Sequence, residues 1–306
     1  MQWRKLGCIY CPSMDDGYTH AMFPNVRVID ENEGKLRIYY THRDKDNYGF
    51  PTYLEGILKD EKFEITYNHN EPIISKGNLG SFDDSGVNVT SIVEEGDKLR
   101  FYYLAWNLGV TVPFRNSIGI AESTNVEGTE LKRLFEGPIL DRDRDFPYLA
   151  ATPCVLKQED KYRMWYALGE PWIKTGDTLT VACFVSYAES SDGINWTRKG
   201  EISVGHKETD HVTTTPFVIY EDNIYKMWYS YRGKKYRIGY AESVDGIHFT
   251  RLDEKVGITI SDNGWDSEMV CYPQVFDLNG KRYMIYSGNG YGLTGIGLAV
   301  LDKEEV

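Results

Sequence analysis

The sequence predicts an all-β fold: a single five-bladed β-propeller over residues 1–306, four antiparallel strands per blade, with an N-terminal strand closing the last blade. Three observations carry this expectation. An aromatic strand signature recurs five times at nearly equal steps. Every copy lies in the same order of strands and turns. The last copy lacks a fourth strand, and a matching segment stands at the N-terminus.

The signature strands are Leu36–Tyr40 (LRIYY), Leu99–Tyr103 (LRFYY), Tyr162–Tyr166 (YRMWY), Tyr225–Tyr229 (YKMWY) and Arg282–Tyr286 (RYMIY). Their central residues, Ile38, Phe101, Met164, Met227 and Met284, are spaced by 63, 63, 63 and 57 residues. Regular steps through aromatic and β-branched strands mark an array of one supersecondary unit. Within a unit an apolar strand comes first, as in Pro153–Leu156, Pro216–Ile219 and Pro273–Phe276. A polar turn (Glu159–Asp160, Glu221–Asn223, Asn279–Gly280) leads to the aromatic strand, and a third strand follows: Ser117–Ser123, Val185–Ser190, Arg237–Ser243, Gly295–Ala299. The Asp192–Gly193 and Asp245–Gly246 turns then open short fourth strands at Asn195–Arg198 and His248–Arg251. Asp-Gly between alternating runs is a strong hairpin signal.

After Ala299 too little chain remains for a fourth strand, and Trp3–Gly7 (WRKLG) matches Trp196–Gly200 (WTRKG). Residues 1–10 are therefore expected to pair with residues near 295–300, which removes two exposed strand edges. No helix of consequence is expected.

Composition narrows the setting. Tyr (23), Phe (12) and Trp (7) favour β structure over helix bundles. A net charge of −12 argues against nucleic acid or an anionic membrane as the main partner, because both reward a basic face. The N-terminus carries no apolar signal segment, and no run suits a membrane span. The five cysteines (8, 11, 154, 183, 271) read as buried free thiols of a cytoplasmic protein. Cys8 and Cys11 form a C-x-x-C pair, but their odd spacing on a strand sends the thiols to opposite faces, against a metal or redox role.

In a propeller the loops leading into first strands and leaving second strands emerge on one rim, and function is sought there. The lead-in segments are Tyr18–His20, Phe82–Ser85, Asp145–Tyr148, Thr209–His211 and Trp265–Glu268. Three residues past each second-strand Tyr stand Arg43, Trp106, Gly169, Arg232 and Asn289, with Asp44, Asn107, Glu170 and Trp172 beside them. Trp faces stack on sugar rings, while Asp, Asn and Arg satisfy hydroxyls that have lost their water. The arginines suit equally a carboxylate or phosphate. Catalytic candidates are Asp83, Asp84, Asp210 and Glu268; binding candidates are His20, Arg43, Asp44, Trp106, Trp172, His211, Arg232, Asp266 and Asn289. Glu268, if enclosed between Trp265 and Met269, would serve as the acid and Asp84 as the base. No cofactor is required; His20 and His211 with acidic neighbours are the set to examine for a channel metal ion. The Ser-x-Asp-Gly turns at 190–196 and 243–249 resemble sialidase Asp-boxes and are expected only to brace their hairpins.

Over its whole length the chain resembles the five-bladed propellers of the arabinofuranosidase, levansucrase and invertase glycoside hydrolase superfamily, closest to a bacterial glycosyl hydrolase-like branch. The likeness rests on Ser81–Val87, Tyr102–Trp106, Gly119–Ser123, Gly239–Gly246 and Gly264–Glu268. It implies carboxylate acid/base chemistry on a glycan or glycoconjugate, in the setting of bacterial surface polysaccharide. The superfamily's hydrolases use an Asp from blade 1, an Asp from blade 2 and a Glu from blade 3. Here blade 1 offers His20, blade 2 keeps Asp83 and Asp84, and blade 3 has only Asp145, with Glu170 at its exit. Those departures leave two alternatives open: a non-catalytic carbohydrate or sugar-nucleotide binding propeller, and a glycosyl-transferring or phosphorolytic relative.

Overall fold

In a computed structural model, which describes residues 1–13, 17–159 and 161–302, the chain is all-β and built of several sheets. Asp160, of the predicted turn in the third unit, lies outside the described residues. Four successive antiparallel groups follow the sequence order. The first joins β2 (Thr19–Asp30), β3 (Lys35–Arg43), β4 (Gly49–Lys59) and β5 (Lys62–Asn68), and the second β6 (Gly86–Glu95), β7 (Lys98–Leu108), β8 (Phe114–Ser123) and β9 (Leu131–Arg133). The third joins β10 (Ala150–Gln158), β11 (Lys161–Gly169), β14 (Cys183–Ser190) and β15 (Thr197–Val204). Between β11 and β14 it extends a small hairpin, β12 (Ile173–Thr175) and β13 (Thr178–Thr180). The fourth joins β16 (Val212–Glu221), β17 (Ile224–Arg232), β18 (Tyr236–Ser243) and β19 (Thr250–Arg251).

The last group takes β20 (Cys271–Leu278), β21 (Lys281–Ser287) and β22 (Ile296–Leu301) and is completed by β1 (Trp3–Tyr10). Trp3 faces Leu301 and Tyr10 faces Ile296, so the N-terminal strand closes the group where the sequence placed it.

Apolar clusters join each group to the next. Tyr39 and Tyr53 pack with Val87 and Phe101, Ile118 and Ile120 with Met164 and Tyr166, and Trp165 and Val185 with Met227 and Tyr229. Trp228 and Ile238 pack with Met284 and Tyr286, and Ile38 and Leu54 of the first group pack with Ile285 and Leu298 of the last. The sequence of contacts therefore returns to its start.

Polar latches reinforce the same joints. Tyr39 donates to the Gly128 carbonyl (3.0 Å), Tyr102 to that of Gly193 (3.0 Å) and Trp165 to that of Gly246 (2.8 Å). The last two glycines belong to the Ser-x-Asp-Gly turns, which brace their hairpins as expected. Asp192 accepts from the amides of Ile194 and Asn195, and Asp245 from those of Ile247 and His248. The Asn195 amide, foremost among these donors, holds the Asp192 carboxyl well below the usual carboxylate range.

All five cysteines are free; Cys154, Cys183 and Cys271 are buried as expected, but Cys8 and Cys11 are exposed. The reason is position: Cys8 is on β1, which has a partner on one side only, and Cys11 follows just past its end. No described helix is long and apolar enough to cross a membrane.

Candidate functional site

The inner edge strands share one local distortion. Phe23, Thr152, Thr215 and Tyr272 each precede a proline and hold left-handed φ values of 51°, 45°, 49° and 57°. The pairing register slips at each of these points, between Met22 and Asn25, Ala151 and Cys154, Thr214 and Phe217, and Cys271 and Gln274. Proline lacks an amide to give the ladder, so it belongs at an edge or a bulge. Holding non-glycine residues there costs on the order of 1–3 kcal/mol each. The distortions are not scattered: all four residues line the same cavity.

That cavity, of about 450 Å³, opens where the ends of β3, β7 and β17 meet the starts of the inner strands. Arg43, Trp106 and Arg232 reach it from those ends, and Trp172 reaches it from the segment before β12. Trp106 fits because Gly86 lies against its indole; a Cβ there would stand 2.1 Å from the indole nitrogen. Trp172 is held edge-on to Phe114, with ring centroids 5.1 Å apart. The floor is apolar and aromatic, with Phe23 stacked on Tyr272 at 4.1 Å. Sequence reasoning missed Asn88, Asn116, Tyr236, Tyr272 and Tyr291 as lining residues. The blade prolines marked Tyr272; the others follow from the turn after β21 and from strand starts that carry no distinctive residue.

Arg43 and Arg232 differ from the other enclosed arginines. Arg43 donates only to Asn47 Oδ1 (2.8 Å) among the described side chains, and Arg232 reaches the Tyr291 hydroxyl (3.5 Å). The Nε of each is buried with no hydrogen-bond partner. By contrast Arg37 pairs with Glu55, and Arg251 with Asp210 and Asp253.

The carboxylate candidates do not line this cavity. Asp83, 1% exposed, binds Arg133 Nε (2.7 Å) and accepts from Ser81 and Tyr103. Asp210, also 1% exposed, is held by Arg251 (3.0 Å). Asp266, likewise 1% exposed, is held by Lys5 (2.6 Å) and accepts from Tyr286 (2.9 Å). Asp83 and Asp266 share one clamp of a lead-in carboxylate, a fourth-strand cation and a second-strand tyrosine; in the fourth group the tyrosine, Tyr229, donates instead to Asp253, the second carboxylate on Arg251. In the third group the corresponding pair, Asp143 with Arg198, is half-exposed on the carboxylate side, and the Tyr166 hydroxyl has no hydrogen-bond partner. Asp83, Asp210 and Asp266 thus stand outside the cavity lining, with their oxygens engaged by cations that are 9–24% exposed.

The other acidic and amide candidates are also placed differently. Asp84 closes a turn, accepting from the Gly80 amide and the Ser85 hydroxyl (both 2.9 Å). Asp44 likewise accepts from the amides of Asp46 and Tyr48 (both 2.9 Å). Glu268 is 64% exposed and pairs with Lys235, so the enclosure between Trp265 and Met269 that its acid role required is absent. Asn289 braces the neighbouring loop, its Oδ1 accepting from the amides of Glu268 (2.7 Å) and Met269 (2.9 Å). Among the described residues no three His, Cys, Asp or Glu side chains converge so as to hold a metal ion.

The histidines instead stand beside the arginines. Burial, with a smaller contribution from Arg43, pushes His20 down to about 4, and burial with Arg232 also lowers His211. The Nε2 of His211 is buried without a partner. His42, stacked on Tyr18 at 3.8 Å, is likewise pushed down to about 4 by burial. A lowered folded-state value means that the unfolded chain binds the proton more readily, so stability falls as pH drops from about 6.5 towards 4. The thermal midpoint should fall across that window, and less steeply in His42→Phe; an equal slope in the variant would assign the acid lability elsewhere.

No family model matches the chain. It is 38% identical over 309 aligned residues, covering 99% of this chain and all of the relative, to the uncharacterized protein Rv1502 of Mycobacterium tuberculosis (strain ATCC 25618 / H37Rv). The chain belongs to the Rv1502 family. Among solved structures this Rv1502-family chain is similar to BT0996 in its complex with RGII, with a TM-score of 0.77 at 17% identity over 98% of this chain and 92% of that one. It is also similar to the Bombyx mori GH32 beta-fructofuranosidase BmSUC1, with a TM-score of 0.63 at 14% identity over 93% of this chain and 61% of that one. At such identities the likeness is one of fold. The Rv1502-family chain has the fold of the propeller glycoside hydrolase superfamily, as its motifs implied.

Proposed function

We propose that the protein is a single five-bladed propeller domain, cytoplasmic, that binds a carbohydrate in the cavity at the mouth of its ring. The five antiparallel groups with their cyclic packing support the blade reading, and the free thiols support the compartment. One observation carries the binding reading: Trp106 and Trp172 face a cavity whose described polar lining is Asn, Thr, Tyr and Arg, without Asp or Glu. Indole faces take the apolar face of a sugar ring while those amides and hydroxyls take its edge. Carboxylate-pair hydrolysis needs an acid and a base flanking the glycosidic bond. Asp83 and Asp210 are engaged in clamps and Glu268 is turned to solvent. The fold itself favours a second reading, a glycan-processing enzyme.

Screening the intact protein against a glycan array, with parallel assays for glycoside cleavage, separates the two. Binding without turnover is the expected outcome. Trp106→Ala should weaken that binding by about 2 kcal/mol, roughly thirtyfold. Turnover that survives in the wild type and disappears in Glu268→Gln would restore the enzyme reading, and unchanged affinity in Trp106→Ala would move the site elsewhere.

A further inference from the structure

The two cavity arginines have a consequence for what the cavity accepts. A guanidinium taken out of water is normally matched by a carboxylate, since its desolvation is otherwise uncompensated. This chain follows that rule at Arg37, Arg133, Arg198 and Arg251. At Arg43 and Arg232 it does not. Burial is the largest influence on both, and the titratable groups nearest Arg43 are the phenols of Tyr272 and Tyr291, those nearest Arg232 the phenols of Tyr236 and Tyr291 and the Cys183 thiol, none of them a carboxylate. Tyr291 is common to both, so one lining residue links the two cations. Each also keeps a buried Nε without an acceptor. The chain as a whole carries a net charge of −12, yet the described lining of this cavity holds two cations and no anion.

We infer that the saccharide taken by this cavity carries an anionic group, a carboxylate or a phosphate, held by Arg43 and Arg232. The inference rests on the carbohydrate reading above and adds the ligand's charge. The guanidinium forks match either oxyanion and supply charge-assisted hydrogen bonds, and the anion provides the acceptors that the two Nε atoms lack. His20 and His211, each next to one of the arginines, are uncharged at neutral pH and leave the two forks as the source of positive charge. Trp106 and Trp172 hold the sugar ring, and the anion fixes which way round it lies.

The test uses the full-length protein on an array bearing neutral, uronic acid and phosphorylated glycans, with affinities of the binders measured by calorimetry. Anionic glycans should bind about 10- to 100-fold more tightly than matched neutral ones, the range of charge-assisted contacts. Arg43→Met/Arg232→Met, confirmed folded by its thermal transition, should bring the two classes to equal affinity. The uronate and phosphate arms tell which oxyanion is meant. Equal binding of neutral and anionic glycans by the wild type would overturn the inference while leaving the carbohydrate reading intact, as would a preference that survives in the double variant. No glycan bound, with inorganic phosphate also failing to bind, would overturn both.

Discussion

Asp83→Ala should destabilise the protein by about 3–5 kcal/mol while leaving glycan binding by the folded fraction unchanged. The carboxylate is almost completely buried, and its removal strands the Arg133 guanidinium and takes away the acceptor of the Tyr103 hydroxyl. Breaking one side of a buried pair costs more than the pair itself contributes, because the remaining charge stays desolvated. Asp84→Ala, one residue on, removes only turn contacts to Gly80 and Ser85 and should cost far less. Denaturant unfolding of both variants, beside calorimetry with a bound glycan, provides the comparison. Asp83→Asn that unfolds like wild type yet no longer binds or turns over a glycan would return Asp83 to the functional site.

Gly239→Val should be at least as damaging, at about 3 kcal/mol or more. Gly239 pairs with Tyr229 across β17 and β18, and a Cβ there would stand 2.4 Å from Tyr229 Cζ and 2.7 Å from Asp253 Oδ1. The ring crosses the third strand at this point to bring its hydroxyl to Asp253, beside Arg251. A larger side chain expels the ring and the clamp together. The same crossing recurs opposite Tyr103, where a Cβ on Gly119 would stand 2.1 Å from the ring carbon Cζ. Gly137→Val is the control, since nothing lies within 4 Å of its Cβ position. A small loss at Gly239, comparable to the control, would show that the ring can be accommodated elsewhere.

These two positions show what was legible in the sequence. The Gly119 and Gly239 motifs were visible as repeats, but not that each makes room for a tyrosine reaching a buried ion pair. The cation of that pair follows a fourth-strand apolar residue by two positions: Trp3 and Lys5, Leu131 and Arg133, Trp196 and Arg198, Phe249 and Arg251. Period two puts both on one face, so the signal was present. Without it, Asp83, Asp210 and Asp266 resembled free carboxylates at a rim. Arg43, Trp106 and Arg232 were found because their distance from each second-strand tyrosine follows from strand geometry alone. Tyr291 and the β12–β13 hairpin escaped because they belong to single insertions, which a repeat cannot announce.

The closing of the last group by β1 also sets an order of events during synthesis. Trp3 leaves the ribosome about 300 residues before Leu301, the residue it pairs with. At ordinary elongation rates of ~5–20 residues per second, that strand waits roughly 15–60 s for its partner. For this interval its edge is unpaired, and Asp266, when it emerges, finds Lys5 already waiting. A segment made before its whole sheet is thus paired after it, and until β22 emerges the edge of β1 is open to other strands.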